Sequence, residues 1–249
     1  MHSHKKTRLA ALALLALAAA PAANAQSAPE EGWQWVAAPY LWMSSIGTDL
    51  REDAEPVPSQ TSFSDVVSKL DMAFQMHVEG QGDRFGVLAD VTYIALSDER
   101  DNNVFGTDAA LDTTITEVAG VWNVSPERYE GLDVIFGVRH INADLSVAFE
   151  SNGPPFPATT VGFDQSYTDA MLGVRYSAKL SDKWGLIGRL DGGFGDTDGT
   201  TNASVMLTRK MSKGSLVLGY RYMNLELGDN GRSVDVTMQG PMLAFAFGL

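Results

Sequence analysis

The chain has 249 residues, with 18 Lys and Arg against 31 Asp and Glu and no cysteine. Such an acidic balance excludes nucleic acid as a partner, because phosphate binding needs clustered basic side chains. The absence of cysteine excludes disulfides, a lipid-bearing N-terminal cysteine and thiolate metal sites, and suits an oxidising compartment.

Residues 1–25 read as a secretory signal. Lys5, Lys6 and Arg8 precede the apolar run "LAALALLALAAA", and "PAANA" follows, with Ala23 and Ala25 as the small residues before a cut. The run has 12 residues, whereas a spanning helix needs about 20, so the segment is expected to be removed rather than kept as an anchor. Removal leaves 15 basic against 31 acidic residues. No other stretch approaches that length, so in a membrane the mature chain would have to cross as a closed barrel. No Pro/Gly/Ser linker divides residues 26–249, which read as one domain.

Ten segments alternate with a period of two: 33–48, 72–80, 85–97, 110–124, 131–149, 164–180, 183–195, 201–211, 214–227 and 233–249. An even number fits an all-β, antiparallel, up-and-down transmembrane barrel of ten strands, with eight or twelve as alternatives. After the first segment, residues 49–71 begin acidic and Pro-rich. Phe63, Val66, Val67 and Leu70 then fall on one face of a short helix with Ser62 as its N-cap. This segment either gates the mouth or packs on the rim.

In the third segment Phe85, Val87, Ala89, Val91 and Tyr93 lie opposite Asp90 and Thr92. In the sixth, Ala170, Leu172, Val174, Tyr176, Ala178 and Leu180 lie opposite Asp169, Gly173, Arg175, Ser177 and Lys179. The ninth sets Leu216, Leu218, Tyr220 and Tyr222 against Ser215, Gly219 and Arg221. A soluble barrel would turn the apolar face inward. Two features favour the membrane instead. Short connections (80–84, 125–131, 181–183, 211–214) alternate with long ones (49–71, 98–109, 150–163) and with middling ones around "GDTDGT" and "GDNGR". Tyr93, Trp122, Tyr176, Trp184, Tyr220 and Tyr222 also fall near segment ends, as an interfacial girdle would.

The last segment ends "GPMLAFAFGL". Leu243, Phe245, Phe247 and Leu249 share one face and Ala244, Ala246 and Gly248 the other, so this strand is expected to pair with "WQWVAAPYLWM" and close the barrel. Asp235, Thr237 and Gln239 have the parity of Leu243, which predicts a bulge at Gly240 and Pro241 that flips the face.

On the lumen side stand Arg139, Arg175, Arg189 and Arg221, with Glu79, Asp90, Asp133, Asp169, Asp191 and Asp235. Buried charges need partners, so these form either a salt-bridged plug or a charged constriction along a solute path. Gly137, Gly173 and Gly219 precede three of the arginines by two residues, leaving room for a guanidinium or marking a bend. His77 shares the face of Gln75 and Glu79, while His140 has the outward parity near the far interface. No spacing gathers a Ser/His/acid or Asp/His set, so no enzyme is expected. "GDTDGTTN" and "DERDN" cluster oxygen ligands that a divalent cation could use, but without calcium-loop spacing they read as solvated loops. No metal site and no cofactor is expected.

The repeats "GVRH" (137–140), "GVRY" (173–176) and "GYRY" (219–222), with "DGGFG", "GP" and the terminal strand, resemble a family of largely uncharacterised Gram-negative outer-membrane β-barrel proteins. The resemblance runs from about Trp33 to Leu249. It implies the cell outer membrane, contact with its lipid and lipopolysaccharide, and a terminal strand read by the assembly machinery. Such strands commonly end in an aromatic residue, and this one ends in Leu249. The resemblance carries no established activity. The expected function is a narrow or plugged barrel that passes or weakly binds small solutes. The alternatives are a structural or surface-interaction barrel acting through acidic loops and, behind both, a membrane-embedded hydrolase.

Overall fold

The computed structural model describes residues 32–51, 57–61, 70–101, 105–151, 159–229 and 232–249. The signal lies outside them, as does the helix expected after Ser62, except that Leu70 begins a strand. The strands are β1 (Gln34–Trp42), β2 (Ser45–Arg51), β3 (Val57–Thr61), β4 (Leu70–Gln81), β5 (Phe85–Asp101), β6 (Phe105–Asn123), β7 (Gly131–Ser151), β8 (Thr159–Lys179), β9 (Trp184–Gly195), β10 (Gly199–Met211), β11 (Gly214–Asp229) and β12 (Arg232–Gly248). Neighbours pair antiparallel, and β1 returns to β12. β1 and β2 hold one place in the wall, because Trp42 opposite Met242 and Ser45 opposite Gln239 follow a single register on β12. The result is a closed ten-strand barrel, with β3 as an added arm on β2.

The break between β1 and β2 has a local cause. Pro241 has no N–H to give, so the crossing there keeps the Met43 N–H to Pro241 carbonyl bond, at 2.9 Å. The wall also dents inward at this level. A Cβ on Gly240 would stand 2.0 Å from the Met43 carbonyl oxygen, a contact that only glycine tolerates.

The predicted bulge does not form. β12 follows β11 in one unbroken register from Ala246 opposite Ser215 to Arg232 opposite Asp229. Asp235, Thr237 and Gln239 therefore keep the outward parity of Leu243, and Asp235 is not on the lumen face. The long connections are also shorter than expected, because strand pairing continues into them. β5 and β6 pair out to Asp101 and Gly106, β7 and β8 out to Phe149 and Thr159, and residues 57–61 form β3.

One physical fact explains these corrections: on β6 to β8 and on β11 and β12, both faces of the wall exchange polarity along the strands. Toward the end closed by turns 82–84, 124–130, 180–183 and 212–213, here the turn end, the outward face is apolar and exposed. Val118, Trp122, Phe136, Val138, Leu172, Val174, Leu190, Leu218, Tyr220 and Phe245 belong to it. The cross-strand row Val118–Val138–Ala170 ends this belt on β6 to β8, and the next outward rows are Thr116–His140–Thr168, Thr114–Asn142–Ser166 and Asp112–Asp144–Asp164. Inside, the row Glu117–Arg139–Asp169 is followed toward the other end, the crown, by Ile115–Ile141–Tyr167. On β11 and β12 the inward pair Arg221–Gly240 is followed by Met223–Met238 and Leu225–Val236. On these strands the turn-end half thus has an apolar exterior and an interior of buried charges beside a small apolar cluster of Leu88, Ala119, Val121, Ile135 and Met171, while the crown half has an apolar interior and a polar exterior; on β4, Met72 and Phe74 keep the crown exterior apolar.

The apolar interior of the crown half is one cluster of Trp42, Ile94, Ile115, Ile141, Tyr167, Met223, Leu225, Met238 and Met242. Burying each large aliphatic side chain here contributes about 1.5–3 kcal/mol. β9 and β10 turn back at 196–198, level with Thr168 and Glu226, and β1 leaves β4 after Pro39 opposite Met76. Among the described residues, the crown is therefore two facing flaps, β4 to β8 on one side and β11, β12, β2 and β3 on the other, and the cluster joins them.

Candidate functional site in the lumen

Period-two alternation places the charged residues. On β4 it aims His77 and Glu79 inward, on β7 Asp133 and Arg139, on β8 Arg175, and on β9 Arg189 and Asp191. Nearest the turn end, Arg175 donates to Glu79 at 2.6 and 2.7 Å and, through Nε and Nη2, to Asp133 at 2.9 and 2.8 Å. Gln81 Nε2 donates to the same Glu79 at 2.6 Å, and Gln81 Oε1 accepts from the Tyr129 N–H at 2.9 Å, which ties this tier to the turn after β6. The Tyr129 hydroxyl donates to the Gln34 carbonyl at 2.7 Å, and burial raises it above the usual phenol range.

The next tier converges on Glu117. Arg139, with 0% exposure, donates to Glu117 at 2.9 and 2.7 Å, to Thr200 Oγ1 at 2.7 Å and to Asp191. Arg189 reaches Glu117 and Asp191, each at 2.7 Å. Arg221 donates to Asn202 Oδ1 at 2.8 Å and to Glu117 at 3.5 Å, and stacks over Trp42 at 4.9 Å. Asp90 accepts from the Tyr40 hydroxyl at 2.7 Å and lies 3.9 Å from Arg221. Glu117 on β6 and Arg221 on β11 stand on opposite walls of a ten-strand ring, so these bonds cross its diameter. Planar guanidinium forks suit this role because each spreads several N–H donors over carboxylates on different strands.

The structure places nine of the ten predicted lumen charges inside, and Asp235 on the other face. Asp169 is inside with a different role, since its carboxylate accepts from Thr197 N–H and Oγ1 at 3.1 and 2.6 Å and anchors the 196–198 turn. Sequence reasoning missed Glu117, Tyr40, Asn202 and Trp42. Glu117 was hidden because its inward neighbours Ile115, Ala119 and Val121 make that face look apolar. Its register opposite Asp90 and Arg139 was the available signal. At Gly137 and Gly173 the neighbouring strand fills the predicted space. An added Cβ would meet the Val118 carbonyl oxygen at 2.2 Å and Asp191 Cβ at 2.3 Å.

The two histidines lie on opposite sides of the wall. His77 is held between Asp90 at 3.1 Å and Glu79 at 3.3 Å, whereas His140 faces outward, 3.0 Å from Thr168 Oγ1. In "GDTDGTTN" the Asp196 carboxylate accepts from the Thr168 N–H at 2.9 Å. Among the described residues, no group of three or more His, Cys, Asp or Glu is placed to hold a metal ion.

No family model matches the chain, and no curated protein matches it. Among solved structures it is similar to the outer membrane protease OmpT from Escherichia coli, with 9% identity over 89% of this chain and 100% of that one and a TM-score of 0.58. Lower similarity extends to Ail, the attachment invasion locus protein of Yersinia pestis (10% identity, 87% and 99% covered, TM-score 0.37), and to the transport unit of the Escherichia coli autotransporter AIDA-I (10%, 90% and 91%, 0.40). At these identities the likeness is one of fold. The chain has the fold of the outer-membrane β-barrels, with ten antiparallel strands closed on themselves.

Proposed function

We propose that the chain is a barrel of the outer membrane whose lumen is plugged, and that it binds small solutes at the crown without passing them freely. The observation that carries this reading is the Glu117 hub, a buried set of guanidiniums and carboxylates that bridges opposite walls at mid-height. The outer membrane is supported by the outward apolar belt, with Phe85, Trp122, Tyr176 and Trp184 near its turn-end edge and Asp112, Asp144 and Asp164 beyond the other edge. The turn end then faces the periplasm and the crown faces out. The proposed role is binding; among the described residues neither His77 nor His140 stands in a nucleophile–base–acid arrangement.

Signal-free protein, refolded and shown to be folded by heat-modifiable gel mobility, is expected to give no unitary current in a planar bilayer. Discrete and reproducible steps would instead establish an open path and overturn the plug.

A second reading, surface interaction, is favoured by the exposed row Asp112–Asp144–Asp164. Like charges directly opposite one another in a sheet are destabilising unless a cationic layer screens them. The folded barrel is then expected to bind lipopolysaccharide-containing vesicles in the presence of magnesium. Changing all three residues to Asn is expected to remove the magnesium dependence; unchanged dependence would dismiss the row as the contact.

A further inference from the structure

The crown half has the polarity of a soluble barrel, and small soluble barrels with apolar interiors are either filled by side chains or hold an apolar ligand. Here the filling is graded. The floor, next to the Glu117 tier, is fully buried: Trp42, Ile115, Ile141, Met223 and Met238. Closer to the rim, Ile46, Leu70, Leu96, Leu227 and Val236 pack against that floor but stay only partly buried. Their outward neighbours on the same flaps are polar, among them Asn224, Glu226 and Thr237. An apolar inner rim on a water-facing structure leaves hydrophobic surface that a ligand could cover.

A second observation is independent of this lining. Trp42 is 3% exposed, and among the described residues its indole N–H has no acceptor. Leaving a buried donor unmatched costs about 1–3 kcal/mol. Methionine adds adaptability, since Met206, Met223, Met238 and Met242 all belong to or pack on the cluster, and unbranched thioethers repack around varied shapes.

From these observations we infer that the crown cup is a binding site for a small apolar molecule, ring or short chain, that carries one carbonyl-type oxygen. The apolar part lies between the flaps against Met223, Met238 and the rim, and the oxygen accepts from the Trp42 indole N–H. The inference rests on the plugged-barrel reading and names the chemistry of the solute held there.

The test uses the full signal-free chain in lipid nanodiscs, labelled on methionine methyls and tryptophan indoles for NMR, with acetophenone and ethylbenzene as probes of near-identical shape. Acetophenone is expected to shift the Met223 and Met238 methyls and the Trp42 indole proton along one saturable curve. Ethylbenzene is expected to bind about three- to tenfold more weakly, the worth of one hydrogen bond, and to leave the indole proton in place. Met211, exposed on the outside of the wall at the turn end at 50%, reports non-specific partition into lipid.

Trp42→Phe is expected to equalise the two probes. Leu227→Glu, at the partly exposed rim, is expected to weaken both, and it keeps the test open if the first variant misfolds. Shifts confined to Met211, or equal binding of both probes to the unmodified chain, would overturn the proposal. Conductance of the same preparation separates the two ideas. A silent barrel without saturable shifts sinks the cup alone, whereas discrete current steps sink the plugged reading beneath it.

Discussion

Glu117→Ala is expected to lower the barrel's unfolding free energy by about 3–5 kcal/mol, the range for stripping one partner from a buried ion cluster. Glu117 is 1% exposed and accepts from Arg139, Arg189 and Arg221. Without it, three guanidiniums from β7, β9 and β11 face one another, with Asp191, Thr200, Asn202 and Asp90 among their remaining anchors. Repulsion and lost hydrogen bonds then act together in a site that little water reaches.

The matched control is Asp83→Ala. Asp83 pairs with Arg128 in the turns, but its side chain is 88% exposed, and an exposed pair of this kind contributes at most about 1 kcal/mol. Urea unfolding from phospholipid vesicles, followed by tryptophan fluorescence, measures both. Equal effects from the two substitutions would show that the lumen cluster is not the mechanical centre of the barrel.

The turn-end half was the more legible part of this sequence, for a physical reason. There the outward face is apolar and the lumen carries the charges, so parity assigns the residues of "MLGVRYSAK" directly, with Met171 as the apolar residue inside. The crown half obeys the opposite rule. Asp235, Thr237 and Gln239 have the parity of Leu243 because the exterior turns polar with height, and a reader who assumes one polarity for a whole strand has to invent a bulge to reconcile them. The same assumption turns the charged ends of β5 and β6 into loops, although pairing persists to Asp101 opposite Gly106. It also conceals the apolar crown interior, since Ile115, Ile141 and Tyr167 look like membrane-facing residues in a strand whose register against its neighbours is unknown. Glu117 is the hardest residue to find, because its importance comes from Arg189 and Arg221, which lie 72 and 104 residues away along the chain.

Deleting Phe245 to Leu249 is expected to abolish the folded barrel, a larger effect than any single substitution in the lumen. β12 carries both the closing seam and one side of the apolar cluster. The lost segment holds the pairs Ala37–Phe247 and Val36–Gly248 with β1, the Leu249 N–H bond to the Trp35 carbonyl at 3.0 Å, and the pairs Ser215–Ala246 and Leu216–Phe245 with β11. Without them, the backbone N–H and C=O groups of β1 and β11 at the turn end have no strand between them. Within a hydrocarbon layer no water replaces that pairing, and each unsatisfied group costs several kcal/mol. Heat-modifiable mobility after refolding into vesicles, together with protease resistance of the barrel, checks the outcome. Phe245→Ala, which keeps the backbone ladder and removes one outward ring, is expected to fold. If the truncated chain also yields the compact, protease-resistant form, closure through the last five residues is dispensable and the seam must draw its stability from Tyr40 to Trp42 against Met242 to Ala244 and from β2 against Ser233 to Gln239.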